Sequence, residues 1–354
     1  MKKKVLISTG GSGGHVIPAT ILCDHLSETN EVIISTDKRG LRYLDKNSYE
    51  IKVIDTPRFN NILSLPLNLI IIFLQIIKSF FLLRKNKINF LISTGGYMSL
   101  PLILASKFIG IKIFLLEPNL VLGRANKFFL NSCKKIFCYN DKLKNFPNNF
   151  EDKIVKINPL IRKEFYEIEE DINPNTEFRI LVVGGSQGAE VFDNKLKDSI
   201  INLSKKFSIK IIQQTNQKNI SNLINLYTQN GIKNQIFNYD NDFVNCISQS
   251  DICITRAGAT TLAELSFLNV PFIAIPLPSS KDNHQFENAN FYFEKKCCWI
   301  IEQNLFEKNI EEVLREIIQN KSDFLEKKEN LKKLNYQNSW INVNQKILKS
   351  INEN

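Results

Sequence analysis

Twice in this chain a short apolar run passes directly into a cluster of glycines and then into helix-favouring sequence, and that arrangement leaves few folds open. Lys4 to Thr9 (KVLIST) precedes Gly10-Gly11-Ser12-Gly13-Gly14-His15, and Arg179 to Val183 (RILVV) precedes Gly184-Gly185-Ser186-Gln187-Gly188-Ala189. An unbroken apolar strand is buried on both faces, which is the condition of a parallel sheet covered by helices. The restart therefore predicts two similar α/β domains with parallel sheets, their loop edges facing a shared cleft. The chain is long enough for both, at 354 residues with 43% hydrophobic content. Asn158-Pro159 and the polar run Glu164 to Glu177 place the boundary, giving domains at 1–160 and 161–337.

A third strand-loop-helix junction carries the clearest chemistry. Asp251 to Thr255 reads as a buried strand, and Arg256-Ala257-Gly258-Ala259-Thr260-Thr261-Leu262-Ala263-Glu264 follows it. Small residues let the backbone approach a ligand, and the unpaired N–H groups of a first helical turn favour an anion such as phosphate. Glu264 falls one turn beyond Thr260, where a carboxylate could accept hydrogen bonds from both ribose hydroxyls of a nucleotide sugar. The amino-terminal glycine turn also forms a concavity of N–H groups. It is neither familiar nucleotide loop: Val16 stands where the Rossmann fingerprint needs its third glycine, and the Gly-Lys-Ser/Thr of the Walker loop is missing.

His15 closes that turn at a helix start, where the dipole disfavours the imidazolium and keeps the ring in the neutral state that a general base needs. Phe90 to Thr94 leads into Gly95-Gly96-Tyr97, and Ile111 to Leu116 into Glu117-Pro118-Asn119. Loops after parallel strands gather at one edge of a sheet, so His15, Tyr97, Glu117 and Asn119 are expected to line one cleft. Asp240-Asn241-Asp242 has the spacing of a metal-holding acidic pair but reads first as a turn and cap before a helix at Phe243. Lys281-Asp282-Asn283-His284-Gln285, after the strand Pro271 to Pro276, places sugar-binding amides and carboxylates at a strand end.

A formal net charge of +10 points to an acidic partner, and no arginine-rich arm or basic-aromatic motif selects nucleic acid. Leu69 to Leu74 and Phe80 to Leu83 make the most apolar stretch, flanked by Lys78, Arg84, Lys85 and Lys87. Leu67 to Leu83 is short for a membrane span and contains Gln75 and Lys78. On a helix, Asn68, Gln75, Lys78 and Ser79 form only a narrow polar stripe, so the wide apolar surface is expected to meet an anionic lipid surface. The seven cysteines form no C-x-x-C pair and read as reduced core thiols. The apolar run Val5 to Ile7 is too short for a signal-peptide core.

Taken together, the glycine turns at Gly10 to His15 and Thr94 to Tyr97, Glu117-x-Asn119, Gly184 to Ala189, Arg256 to Glu264 and Asp282 to Gln285 follow the order and approximate spacing of the MurG family. The chain resembles it from residue 5 to about residue 290. The resemblance implies a GT-B fold, two Rossmann-like domains with parallel sheets facing a central cleft, with the last helix, about 338–354, packed back on the first. It implies transfer of N-acetylglucosamine from UDP-N-acetylglucosamine to the 4-hydroxyl of the muramyl sugar of lipid I, giving lipid II for peptidoglycan. Inversion at the anomeric carbon, no metal, no cofactor and a peripheral place on the cytoplasmic face of the inner membrane are implied with it.

Carried over by position, the substrate contacts are Ser12, Gly13, Gly14, Asn119, Arg162, Ser186, the backbone near Asp240, Ala259, Thr260, Thr261, Leu262, Ala263, Glu264 and Gln285. His15 is the first candidate base and Glu117 the second. Pro118 departs from the family pattern by removing a backbone donor, and Ile157-Asn158-Pro159-Leu160-Ile161-Arg162 stands where the family shows Gly-Asn-Pro-Val-Arg. A glycosyltransferase acting on diacylglycerol and a non-catalytic nucleotide-sugar-binding membrane adaptor would carry many of the same features.

Overall fold

The computed structural model describes residues 2–57, 65–168, 177–185, 190–238, 243–335 and 337–353. The chain divides into two units, Met1–Lys163 with Asn338–Asn354, and Glu164–Gln337. The first runs β1 (Lys4–Ser8), α1 (Gly13–Ser27), β2 (Glu31–Thr36), β3 (Ile51–Val53), α2 (Leu65–Lys85), β4 (Phe90–Ser93), α3 (Leu100–Ile109), β5 (Lys112–Glu117), α4 (Arg124–Phe129), β6 (Lys135–Cys138) and β7 (Ile154–Lys156). Its seven strands are ordered β3-β2-β1-β4-β5-β6-β7, every pair parallel.

Alternation along each strand divides the core between the two faces of this sheet. Val5 and Ile7 point with Ile34, Ile92 and Phe114 toward Val16, Leu22 and Leu26 of α1. Leu6, with Ile33, Leu91 and Leu115, packs on Leu83 of α2 and on Leu102 and Ile103 of α3. Because both faces are covered, the strands need no polar side, which is why they read as continuous apolar runs. The helix expected near Pro18 to His25 begins earlier, at Gly13, and Pro18 lies within it. Proline there removes only the bond to the carbonyl of Gly14, an exposed residue.

Helix α2 departs from the sequence reading in extent and supports it in orientation. It is a 21-residue helix, long and apolar enough by length and composition to cross a membrane, with 17% of its most apolar window buried. Asn68, Ile72, Ser79 and Leu83 face the fold. Leu67, Phe73 and Phe81 are 61%, 62% and 65% exposed, and Leu69, Ile70, Leu74 and Ile77 are exposed beside them. The narrow polar stripe therefore contributes to the docked side and the wide apolar face is left outside.

The second unit runs β8 (Phe178–Val183), α5 (Glu190–Lys195), α6 (Lys197–Ser204), β9 (Ile209–Gln214), α7 (Ile220–Gln229), β10 (Lys233–Phe237), α8 (Phe243–Ser248), β11 (Ile252–Thr255), α9 (Ala259–Phe267), β12 (Phe272–Ala274), α10 (His284–Glu294), β13 (Cys298–Ile300), α11 (Phe306–Gln319) and α12 (Lys321–Leu334). Its six parallel strands are ordered β10-β9-β8-β11-β12-β13. Ile180, Val182, Ile211, Ile252 and Ile254 make its core with Phe192, Ile200 and Phe306. Strands β3 and β13 were not expected from sequence: each has three residues and lies at a sheet edge, too short to show a period.

The last helix, α13 (Trp340–Glu353), belongs to the first unit. Val343, Ile347 and Ile351 enter the core beside α1. At its start the Trp340 ring stacks on His25 with centroids 3.5 Å apart. Glu28 accepts from Trp340 Nε1 and from the Asn344 amide, each at 2.6 Å. Neither ring nitrogen of His25 has a hydrogen-bond partner among the described residues. Burial pushes the His25 imidazolium down from 6.5 to about 3.

The unfolded chain takes up a proton below about pH 6.5 that the folded chain refuses until about pH 3, so stability present above this window is lost as pH falls through it. The limiting slope is about 1.4 kcal/mol per pH unit. His25→Phe keeps the stack and removes the titration. Urea midpoints at pH 7.5 and pH 5 are expected to fall less in the variant than in the wild type; equal falls would remove His25 from the account.

Candidate functional site

In a parallel sheet the strand order reverses where two adjacent strands send their following segments to opposite sides, and the space beyond their carboxyl ends is left uncovered. In the first unit that point lies between β1 and β4, and in the second between β8 and β11. The glycine turns at Gly10 and Gly95 follow the first pair of strands. Gly184 and the Arg256 to Gly258 loop follow the second.

The loops after β1 and β2 are tied together by one buried carboxylate. Asp37, 1% exposed, follows β2 and accepts from the Gly11 N–H at 2.8 Å and the Gly40 N–H at 2.9 Å through Oδ1. Its Oδ2 accepts from Arg39 Nε at 2.9 Å and from Arg39 Nη2. Burial alone would raise this carboxyl, but the Gly11 and Gly40 N–H groups and the Arg39 guanidinium outweigh it and hold it below its ordinary value. Gly10, at φ +149°, has to be glycine, since a Cβ there would lie 2.6 Å from Asp37 Oδ1.

Helix α1 then opens without help from side chains. Ser12 is its extended N-cap and makes no capping bond, and the first turn carries no acid. His15 and Val16 donate to the Ser12 carbonyl, so the N–H groups of Gly13 and Gly14 are the ones without an acceptor among the described residues. His15 Nδ1 lies 2.8 Å from the Thr94 carbonyl, at the end of β4. A carbonyl only accepts, so Nδ1 carries the proton, and in the neutral ring the lone pair falls to Nε2. A Cβ on Gly96 would lie 3.9 Å from the His15 ring, which brings the two glycine turns together at this histidine.

Glu117 is placed differently from the expectation of a base. It is 3% exposed, and Oε1 accepts from the N–H and side-chain amide of Asn119 at 3.2 and 3.0 Å. Oε2 accepts from the Gly123 N–H at 2.8 Å and the Asn126 amide at 3.0 Å. Burial pushes the carboxyl above its ordinary value, against the pull of the Gly123, Asn119 and Asn126 donors. With both oxygens engaged it shapes the loop after β5 and orients Asn119. Arg162 is half-buried in the first unit, one residue before the division.

In the second unit, α9 repeats the uncapped opening. Gly258 is its N-cap, no side chain caps it, and its first turn holds no acid. Leu262 donates to the Gly258 carbonyl at 3.0 Å, leaving the N–H groups of Ala259, Thr260 and Thr261 without an acceptor among the described residues. Those three residues are half-buried, whereas Leu262, Ala263 and Glu264 are buried, Glu264 at 1% exposure. Leu262 and Ala263 therefore support the helix from its core side, and the Glu264 carboxylate is not presented to solvent.

The loop before α9 is braced by Arg256, the first residue of its motif, and by Asn288, which sequence patterns did not single out. Arg256 donates to the Ile275 carbonyl at 3.0 Å and to Gln303 Oε1 at 2.6 Å, and Asn288 donates to the Ala257 carbonyl at 3.1 Å. Gln285 accepts from the Leu277 N–H at 2.9 Å, which orients its NH2 as the outward donor. In α5, buried Asp193 accepts from Gln213, Thr215 and Asn219 at 2.9, 2.6 and 2.8 Å. Ser186 and Asp240, with the rest of the Asp240 to Asp242 cluster, lie outside the described residues.

Each unit thus holds an uncapped helix start suited to an anion, and the first adds a tautomerically fixed imidazole. Asp37 and Arg39 were missed because they sit in no glycine motif; their only signal was a turn after β2, at the same sheet edge.

Two family models match the chain. The glycosyltransferase family 28 N-terminal domain covers residues 5–138, and the glycosyltransferase family 28 C-terminal domain covers residues 179–340. A UDP-N-acetylglucosamine–N-acetylmuramyl-(pentapeptide) pyrophosphoryl-undecaprenol N-acetylglucosamine transferase from Pelagibacter ubique is 49% identical over 357 residues, covering 100% of both chains. The transferase of the same name from Rickettsia felis is 33% identical over 315 residues, covering 85% of this chain and 87% of that one. Among solved structures, Acinetobacter baumannii MurG aligns with TM-score 0.77 and 22% identity over 100% of both chains. A UDP-GlcNAc 2-epimerase from Neisseria meningitidis bound to UDP-GlcNAc aligns with TM-score 0.66 and 16% identity, over 99% of this chain and 100% of that one.

The two roles open to Glu117 separate on substitution. Glu117→Gln replaces one acceptor oxygen by a donor that faces other donors, and is expected to cost roughly 1–3 kcal/mol of stability as well as turnover. A variant with wild-type unfolding and only slowed catalysis would instead mark Glu117 as a proton carrier.

Proposed function

The chain belongs to the MurG family within glycosyltransferase family 28, enzymes of GT-B fold, and from that premise we propose how its residues carry out the family reaction. It transfers N-acetylglucosamine from UDP-N-acetylglucosamine to the 4-hydroxyl of the muramyl sugar of lipid I, forming lipid II. The observation that carries the mechanism is the fixed tautomer of His15, with Nδ1–H committed to the Thr94 carbonyl.

The acceptor hydroxyl attacks the anomeric carbon from the face opposite the leaving group. Its proton passes to His15 Nε2, and the electron pair of the breaking carbon–oxygen bond leaves on the terminal phosphate of UDP. The first-turn N–H groups of Ala259, Thr260 and Thr261 are already aimed outward, so they take up this charge without reorganising. Gln285 donates to a sugar hydroxyl from the end of the amide that Leu277 does not hold. The N–H groups of Gly13 and Gly14 and the turn at Gly95 receive the acceptor diphosphate. On this reading the first unit is the acceptor- and membrane-binding one and the second binds the UDP sugar.

Helix α2 serves the lipid-linked acceptor by lying along the cytoplasmic membrane surface. The strands it joins, β3 and β4, belong to one sheet, and one side of the helix is docked on the fold, so a peripheral position suits it better than a crossing. Its exposed leucines, isoleucines and phenylalanines would enter the acyl region while Arg84, Lys85 and Lys87 meet anionic head groups.

Purified protein given UDP-N-acetylglucosamine and a lipid I analogue is expected to release UDP in step with disaccharide formation, at a rate that a chelator leaves unchanged. No UDP release with this acceptor would refute the assignment, and loss on chelation with recovery in Mn²⁺ would refute the charge-stabilising role of the N–H groups. His15→Ala is expected to lower kcat about 10²–10⁴-fold with little change in donor KM; equal loss of both would make His15 a binding residue. Phe73→Ser with Phe81→Ser is expected to abolish co-sedimentation with phosphatidylglycerol vesicles and to spare turnover of a water-soluble acceptor analogue. Retained vesicle binding would remove α2 from the membrane contact.

A further inference from the structure

The Asp37–Arg39 pair does more than the turn it closes requires. A guanidinium is planar, with donors along three edges, and a carboxylate that engages one edge points another away from itself. Asp37 takes the Nε and Nη2 side of Arg39, and Nη2 also meets the Tyr97 hydroxyl, while the guanidinium lies over the Tyr97 ring at 5.3 Å. Three groups thus hold the side chain in one orientation. Nη1 has no hydrogen-bond partner among the described residues, and the side chain remains 32% exposed.

The position of that outward edge matters. Arg39 Nη2 would lie 3.7 Å from a Cβ placed on Gly11, and Met98 Cε, which would lie 2.8 Å from the same Cβ, lies within 2.9 Å of where a Cβ on Gly96 would fall. Arg39 therefore stands beside both glycine turns of the first unit. Asp37 is buried and already takes four N–H donors, so an anion at the outer edge meets the cation and not the carboxylate. A guanidinium held at a fixed angle with Nη1 left to donate suits a phosphate oxygen, to which it offers a charge-assisted hydrogen bond.

We propose that Arg39 is a specificity-determining residue for the acceptor, its outer edge receiving the acceptor diphosphate, and that Asp37 is the positioning residue that aims it. This rests on the transferase reading given above. It adds a fixed cation to the neutral backbone donors of the glycine turns and makes recognition depend on the number of phosphates that link sugar to lipid.

The test compares wild type, Arg39→Ala, Arg39→Lys and Asp37→Asn in steady-state turnover, with a prenyl diphosphate and the matching prenyl monophosphate as competitive inhibitors. Arg39→Ala is expected to raise the acceptor KM on the order of tenfold to a hundredfold, as for the loss of a charge-assisted hydrogen bond, with donor KM within about twofold. It is also expected to erase the preference for the diphosphate inhibitor. Arg39→Lys should recover part of the affinity, and Asp37→Asn should weaken the acceptor without changing the donor. An unchanged acceptor KM, a preserved diphosphate preference, or equal losses for donor and acceptor would overturn the proposal.

If Arg39→Ala fails to fold by circular dichroism, the inhibitor ratio in Arg39→Lys decides: an unchanged ratio overturns the proposal and a reduced one supports it. Absence of turnover in the wild type would refute the transferase reading itself. Wild-type turnover with unaltered constants in the variants would refute the role of Arg39 alone.

Discussion

A helix cannot satisfy its own first N–H groups, and α1 and α9 leave theirs to whatever arrives. Neither helix has a side-chain cap or an acid in its first turn, although serine and threonine residues are close by. Each follows a central strand at the point where its parallel sheet reverses order, so the donors emerge where no crossover helix covers them. The rest of the site is built around keeping those donors pointed outward.

Rigidity is supplied by carboxylates turned inward. Asp37, Glu117 and Asp193 are buried, and each accepts several hydrogen bonds from the loop or strand end that it braces. An isolated buried carboxylate would be costly, and these are stabilised because N–H and O–H donors converge on them. Satisfied in this way, they leave little negative charge facing a diphosphate. For Glu117 that has a chemical consequence: the residue which looks in sequence like a second base is occupied by Asn119, Gly123 and Asn126. His15 directs Nδ1 to the Thr94 carbonyl, which assigns the lone pair of the neutral ring to Nε2, the nitrogen a base would use.

Much of the fold is legible in sequence because sheets buried on both faces write themselves as apolar runs. KVLIST and RILVV mark β1 and β8, and the glycines after them mark the loops. Edge strands such as Ile51–Val53 and Cys298–Ile300 are too short to carry a pattern. The candidate site is legible where the backbone presents open donors, as at Gly13, Gly14 and Ala259 to Thr261, since small residues at a helix start are a readable sign. It is not legible where a side chain acts across the fold. Nothing in the local pattern of Asp37 or Arg39 shows that β2 places them against Gly11 and Tyr97, and nothing around Glu264 shows that its face of α9 is buried. Burial of Asn68 and Ser79 on α2 likewise depends on the packing of the crossover helix.

The closing helix gives the chain an unusual order of completion during synthesis. Val343, Ile347 and Ile351 fill the same core as Val5, Ile7 and Val16, and Trp340 covers His25. Domains commonly fold in turn as they leave the ribosome. Here the half translated first lacks part of its interior until Trp340–Glu353 has been made, while the half translated second has all its strands beforehand. The amino-terminal half must therefore wait, its α1 surface uncovered, and a chain cut short before Trp340 would have one finished half and one open one.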